Sequence, residues 1–287
     1  MSTNKTAMAV ILAILTTLVG TLAAASAKYL SDTVHPHLMV CTQYLICLLT
    51  MGPWLWNQGI PGLRSEKVGL HLLRGISGWA CFYTYYYALG KIPLVEASLL
   101  RNTAPLCVPF IVMMWLRYPI SRSNWIGLGI GFLGVAMILK PSPEGMNVWH
   151  FVGFLSGVGL AMSMVTTKEL SITESGNLIL FYYFLISFLL SLPFAIYHWE
   201  PVPLEKVPFL LFVGFSIFIT MKLYTRAYGL APTSIVAPFS YFGVVFAGLL
   251  GWLIWEHVPD QFTLAGIVLV IIGGAITLIF SKPVVGG

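Results

Sequence analysis

Arg101 lies inside an apolar run, Leu94 to Leu116 (LVEASLLRNTAPLCVPFIVMMWL), that is long enough to cross a bilayer. A lipid-facing helix disfavours a guanidinium. An arginine in such a run either faces the bundle interior, where it binds an anionic group, or snorkels to the interface. Its depth does not decide between the two. Seven residues after Leu94 is roughly 10 Å along a helix, against a hydrocarbon half-thickness of about 15 Å. Ser98, Arg101, Asn102, Pro105 and Pro109 recur at helical spacing and so share one face. Each proline removes a backbone donor, which a membrane helix tolerates best beside a cavity or a partner helix. Glu96 is five residues from Arg101, a poor helical spacing for an ion pair, and is expected to be an interfacial carboxylate.

The preceding run, Leu70 to Gly90, carries Trp79, Tyr83 and Tyr86 at i, i+4 and i+7. These rings form either one wall of a binding path or ordinary core packing. Late in the chain, Ser234, Pro238 and Tyr241 share a face in the same manner and mirror Val95, Leu99 and Asn102. A guanidinium beside flat aromatic faces suits a small metabolite bearing a carboxylate and an apolar or ring portion. An amino acid or related zwitterion is the simplest such molecule, and a vitamin or adenosyl compound is a larger one.

Other chemistry finds little footing. No nucleophile–base pair or metal constellation is legible, so no catalytic, cofactor or metal residue is assigned and no cofactor is expected. Gly129-x-Gly131-x-x-Gly134 matches a dinucleotide-binding string, yet no strand precedes it and no ribose-binding carboxylate follows. With Gly127 it reads as a small-residue face for close helix packing, as do Gly153-x-x-x-Gly157 and Gly243-x-x-x-Ala247-x-x-x-Gly251. His35-x-His37, with Asp32 nearby, reads as a solvated turn. Cys41, Cys47, Cys81 and Cys107 all lie in apolar runs and read as buried free thiols. No basic run suggests nucleic acid.

The elements that position these residues follow from composition. The chain has 287 residues, 58% hydrophobic and 9% charged, with a mean hydropathy of +0.87. Soluble domains carry roughly 25% charged residues, so the chain is an all-α membrane protein whose partner is the lipid bilayer. Ten candidate spans run at 7–28, 37–56, 70–90, 94–116, 124–140, 149–169, 177–198, 207–227, 233–255 and 261–281. The first has a positive start at Lys5 and small residues at Ala23–Ala27, as a signal peptide would, but it has a counterpart later in the chain and reads as an uncleaved span.

With the N-terminus cytoplasmic, the inside segments hold Lys5, Arg64, Lys67, Arg74, Arg117, Arg122, Lys168, Arg226 and Lys282, and the outside segments hold Lys28, Lys91, Lys140 and Lys206. Nine against four puts both termini in the cytoplasm. Lys222 and Arg226 read as topology charges, while Lys28 and Lys168 are either gate charges or interface anchors.

The chain also repeats itself at an offset of 139. Gly20 matches Gly159, Tyr44 matches Tyr183, and Gly127 and Gly134 match Gly266 and Gly273. Ala88-x-Gly90-x-x-Pro93 matches Ala227-x-Gly229-x-x-Pro232. Two units, 1–145 and 146–287, thus hold five spans each. Five is odd, so the second enters the membrane from the opposite side. Such inverted repeats are a transporter signature, with the substrate near the midplane between them.

These features resemble the drug/metabolite transporter superfamily. The stretch Ala231-Pro-Thr-Ser-Ile-Val-Ala-Pro-Phe-Ser-Tyr241 and the closing Trp255-Glu256 resemble its EamA-type permeases. The resemblance implies a secondary transporter, and the compact length and short loops point to a bacterial inner membrane. It also implies peripheral fifth and tenth spans, and a cavity walled notably by spans three, four, eight and nine. One departure stands out: Arg117 occupies the position where the family has an acidic residue like Glu256.

Overall fold

The computed structural model describes residues 3–117, 122–139, 148–230, 239 and 241–280. Among them the chain is all-helical. The helices are α1 (Thr3–Leu30), α2 (Pro36–Thr50), α3 (Gly52–Gln58), α4 (Val68–Leu89), α5 (Leu94–Arg101), α6 (Ala104–Leu116), α7 (Arg122–Leu139), α8 (Val148–Leu170), α9 (Gly176–Tyr197), α10 (Val207–Leu230), α11 (Phe242–Trp255) and α12 (Gln261–Phe280). Local signals set several of these ends. Pro36 opens α2 behind the extended residue His35, and Ser175 caps α9 by accepting the Leu178 N–H.

Among the described residues five helical stretches are long and apolar enough to cross a membrane, α5 and α6 together (Leu94–Trp115) counting as one, and six if α2 and α3, bent by 47°, form one span. Three shorter apolar helices lie at Trp125–Met137, Phe242–Trp255 and Gln261–Ile276. That is fewer than the ten spans the hydropathy pattern predicts. One of the missing spans is α4, which buries His71, Arg74, Ser77 and the rings of Phe82, Tyr85 and Tyr86 on its inner faces and is correspondingly less apolar. Large apolar side chains such as Ile11, Leu189, Phe212, Leu253 and Val268 stand exposed on the outside of the bundle. A surface of this kind is solvated by lipid, and the chain is an integral membrane protein.

The packing repeats with the two halves exchanged. Helix α1 lies along α10, and α4 lies along α8. At the first of these interfaces Gly20 faces Thr220, and at the second Gly159 faces the backbone of Cys81. Both glycines and both partners are related by the offset of 139. Helix α2 packs on α10 through Ile46 and Gly214, and α4 on α9 through Gly75 and Ile186. Helix α7 lies along α12, where the repeat-matched glycines touch. A Cβ on Gly134 would strike the Gly266 carbonyl, and one on Gly273 would strike the Gly127 carbonyl and the Gly131 amide. The small-residue face of Gly127 and Gly134 therefore holds two helices at backbone contact, whereas Gly129 and Gly251 meet nothing within 4 Å and Gly243 meets only threonine side chains. On the same axis the hydroxyls of Tyr44 and Tyr183 meet at 2.8 Å, both fully buried.

The two non-glycine residues with positive φ among the described residues are Arg117 (φ 58°, ψ 23°) and Glu256 (φ 56°, ψ 19°). They too stand 139 apart. The chemistry of that position has diverged, yet the left-handed helix cap is the same in both halves.

The apolar run Leu94–Leu116 is not one continuous helix. It breaks after Arg101, and Asn102 and Thr103 form a turn before α6 begins. Pro105 has no N–H, so the Arg101 carbonyl loses its i+4 donor at that point. The face predicted to run from Ser98 to Pro109 is therefore cut. Ser98, Arg101 and Asn102 precede the break, while Pro105 and Pro109 follow it. Helix α8 covers the break with the backbone of Gly157, where a Cβ would strike the Leu100 carbonyl and the Thr103 hydroxyl.

Candidate functional site

Around Arg101 the helices close tightly. Its guanidinium carbon lies 4.6 Å from the ring centre of Phe82 and 4.9 Å from that of Tyr85, both on α4. Its Nε is buried without a hydrogen-bond partner. Among the described residues no carboxylate lies within ion-pair distance of it. The Tyr85 and Ser98 hydroxyls meet at 2.9 Å beside it. Asn102 uses its amide locally, donating to the Ser98 carbonyl at 2.8 Å, and caps the end of α5. Arg101 is therefore an interior arginine, and the snorkelling reading does not apply to it. Its positive charge rests on two ring faces and leaves a donor unused.

The aromatic row on α4 divides. Trp79 and Tyr83 stack at 4.9 Å, are half-buried, and face Phe194 of α9. Tyr86 is fully buried and donates its hydroxyl to the Gln43 side chain of α2. Seven residues of helix rise by roughly 10 Å, enough to change the neighbouring helix from α9 to α2. The three rings thus share an angular sector without forming one surface. Tyr241 is buried at the start of α11 and its hydroxyl lacks a partner. Ser234 and Pro238 lie outside the described residues.

Sequence reasoning missed several buried polar groups. Arg74, counted among the cytoplasmic topology charges, is buried with its guanidinium 3.8 Å from the Tyr183 ring centre and its Nε unpartnered. Arg74, Gly78, Cys81, Phe82 and Tyr85 recur at helical spacing on α4, so two arginines cap the ends of one face. Glu96 is not an exposed interfacial carboxylate. It is buried and bonds the His150 Nε2 of α8 at 2.8 Å. His71 is fully buried and stacks on Tyr182, with Glu174 at 3.9 Å from its Nε2. The Glu174 carboxylate in turn accepts from Ser65 at 2.6 Å. The interior is thus richer in histidine and carboxylate than the sequence suggested.

Lys28 is neither a free gate charge nor a simple anchor. Its Nζ donates to the Leu89 and Ile92 carbonyls at 2.9 Å each, capping the end of α4. Lys222, by contrast, sits exposed over the Phe218 ring.

His35-x-His37 is not a solvated turn. His37 is buried, its ring stacks on His35, His198 and Phe194, and its Nδ1 lies 2.7 Å from the Tyr83 hydroxyl. Partial burial and the neighbouring His198 push the His35 imidazole below its ordinary range. The missed signal was His198, far off in sequence at the end of α9.

Buried charge inside an apolar, internally repeated bundle is the physics of a membrane carrier. The EamA-like transporter family matches this sequence twice, over residues 7–140 and 147–279. The chain belongs to that family. The pseudopaline exporter of Pseudomonas aeruginosa is 33% identical over 223 residues, covering 76% of this chain and 78% of the exporter. An S-adenosylmethionine uptake transporter of Rickettsia bellii is 24% identical over 255 residues, covering 89% and 87%. A riboflavin transporter of Vibrio cholerae is 27% identical over 226 residues, covering 76% and 74%. A solved crystal structure aligns over 96% of each chain with a TM-score of 0.62 at 20% identity, which shows the shared fold. The family and these relatives are transporters rather than enzymes, and their substrates are small molecules.

Proposed function

We propose that this EamA-family protein is a secondary transporter that moves a small organic metabolite across a bacterial inner membrane by alternating access. Its substrate bears a carboxylate or other anionic group, as an amino acid or related zwitterion does, together with an apolar or ring portion. The observation that carries this reading is Arg101: a half-buried arginine at a helix break, with its Nε buried and unused and, among the described residues, no carboxylate against it. An anion would supply the missing acceptor through a charge-assisted bond. Broken helices at mid-bundle are where transporters of inverted-repeat architecture hold substrate. Ser98 and Asn102 flank the group, while the Trp79–Tyr83 pair stands on the side of α4 that faces α9 and the unused Tyr241 hydroxyl lies against Gly274 of α12.

Ten spans in two inverted units, 1–145 and 146–287, fit the exchange of helix pairings between the halves. The two halves then rock about the Tyr44–Tyr183 contact. A second reading, a larger vitamin- or adenosyl-type substrate, is favoured by the named substrates of the relatives in Rickettsia bellii and Vibrio cholerae. Counterflow in proteoliposomes, run with amino acids, nucleosides and vitamins, decides between them. The reading is lost if none of these exchanges across vesicles that contain the protein.

The distribution of Lys and Arg, eight to four once the interior Arg74 is set aside, favours both termini in the cytoplasm. A reporter that matures only in the cytoplasm should be active when fused after Gly287. Activity of a periplasm-dependent reporter at the same junction would reverse the orientation.

A further inference from the structure

Three imidazoles converge at the end of the bundle where α2 begins and α9 ends. His35 comes from the loop before α2, His37 from the first turn of α2, and His198 from the cap of α9. One ligand nitrogen of each lies within 4.8 Å of the others. The rings stack nearly parallel, at 4.4 Å and 21° for His35–His37, 4.6 Å and 14° for His37–His198, and 5.1 Å and 9° for His35–His198. Three mutually stacked imidazoles repel one another once protonated, and the neutral form is the one that ligates metal. The set carries a further feature of a metal site: His37 is held by an outer group. The Tyr83 hydroxyl fixes its Nδ1, while the longer 3.2 Å contacts of Tyr83 and Tyr87 to its Nε2 are the ones an ion would replace.

We infer that His35, His37 and His198 form a binding site for a divalent first-row transition ion such as Zn²⁺. Three neutral imidazoles with a fourth position open to water are a donor set that zinc accepts. Tetrahedral nitrogens at about 2.0–2.1 Å from zinc are roughly 3.3 Å apart. Binding therefore needs a contraction of no more than about 1.5 Å and a turn of the rings out of their parallel stack, so that their in-plane lone pairs converge. His198 is exposed and His35 half-exposed, so both rings have room to turn. The ion would join the first half at α2 to the second half at α9 and restrain their relative movement. That consequence rests on the transporter reading above; the binding itself does not.

Zinc binding is measured on the purified full-length protein, with any affinity tag removed, by competition with a chromogenic chelator. One ion per chain is expected, together with a rise in the unfolding temperature on adding Zn²⁺. His35→Ala and His198→Ala should each abolish stoichiometric binding. Tyr83→Phe, a change in a positioning residue, should weaken it by about 10–100-fold. His257→Ala, at an exposed histidine elsewhere, should change nothing. Cobalt in place of zinc should give the visible bands of a tetrahedral site, lost in the His198 variant. Absence of bound ion, or retention of the ion by the double variant of His35 and His198, overturns the proposal. Counterflow measured on the same preparations with and without chelator tests transport separately, so failure of the metal site leaves the transport reading standing.

Discussion

Arg101→Gln is expected to weaken binding of a carboxylate-bearing substrate by about 10- to 100-fold, the equivalent of losing a charge-assisted hydrogen bond of about 1.5–3 kcal/mol. The same change should leave the amide or ester of that substrate nearly untouched. The reasoning starts from what Arg101 lacks. Its guanidinium touches the Phe82 and Tyr85 rings, its Nε has no acceptor, and no carboxylate of the described chain neutralises it. A cation held in this way gives up little to the protein when a ligand carboxylate arrives, so the attraction is read in the ligand's affinity. Glutamine keeps the length and removes the charge. Binding to the purified protein, compared between acid and ester, reads the difference. Equal loss for both ligands would mean that Arg101 holds α4 and α5 together, and the anionic-substrate reading would then fall.

The second large effect is on stability. Glu96→Ala should destabilise the protein by about 3–5 kcal/mol, the cost of breaking a buried carboxylate–imidazole pair from one side. Glu96 lies in the first turn of α5 and His150 in the first turn of α8. The two helix N-termini therefore meet, and the carboxylate sits where both dipoles favour negative charge. The His150 Nδ1 already lacks a partner, so removing Glu96 takes the Nε2 partner as well. His150→Ala should cost a similar amount, and the double variant little more than either alone, because the two groups act as one unit. Thermal unfolding in a single detergent measures this. Fully additive losses in the double variant would show that the pair is not coupled.

Much of the frame was legible in the sequence because a repeat writes its own symmetry. Tyr44 and Tyr183, matched by offset alone, turn out to touch, as do Gly127 and Gly134 with Gly266 and Gly273. Arg101 was legible too, since a charge in an apolar run has few places to go. What the sequence concealed were partners brought together by packing. His150 is 54 residues from Glu96, and no periodicity connects them. His198 joins His35 and His37 only because α9 ends beside the start of α2. Arg74 looked like a loop charge because it lies near the end of its apolar run, yet α4 begins at Val68 and turns that residue inward. The helix break after Arg101 was written in Pro105, but two prolines in one run left open which of them would interrupt it.

The contact between Tyr44 and Tyr183 has a consequence of its own. A hydroxyl carries a single proton. Tyr44 can give its proton to the Gly78 carbonyl at 3.2 Å or to Tyr183 at 2.8 Å, and when it bonds Gly78 it is Tyr183 that donates across the shorter contact. Gly78 has no glycine counterpart in the second half, where the matching position is Ile217. The two halves of a nearly two-fold scaffold are thus not equivalent at their central contact. Tyr44→Phe and Tyr183→Phe, equivalent by sequence offset, are therefore unlike perturbations: the first removes the hydroxyl that touches both Tyr183 and the Gly78 carbonyl, the second removes only the outer hydroxyl.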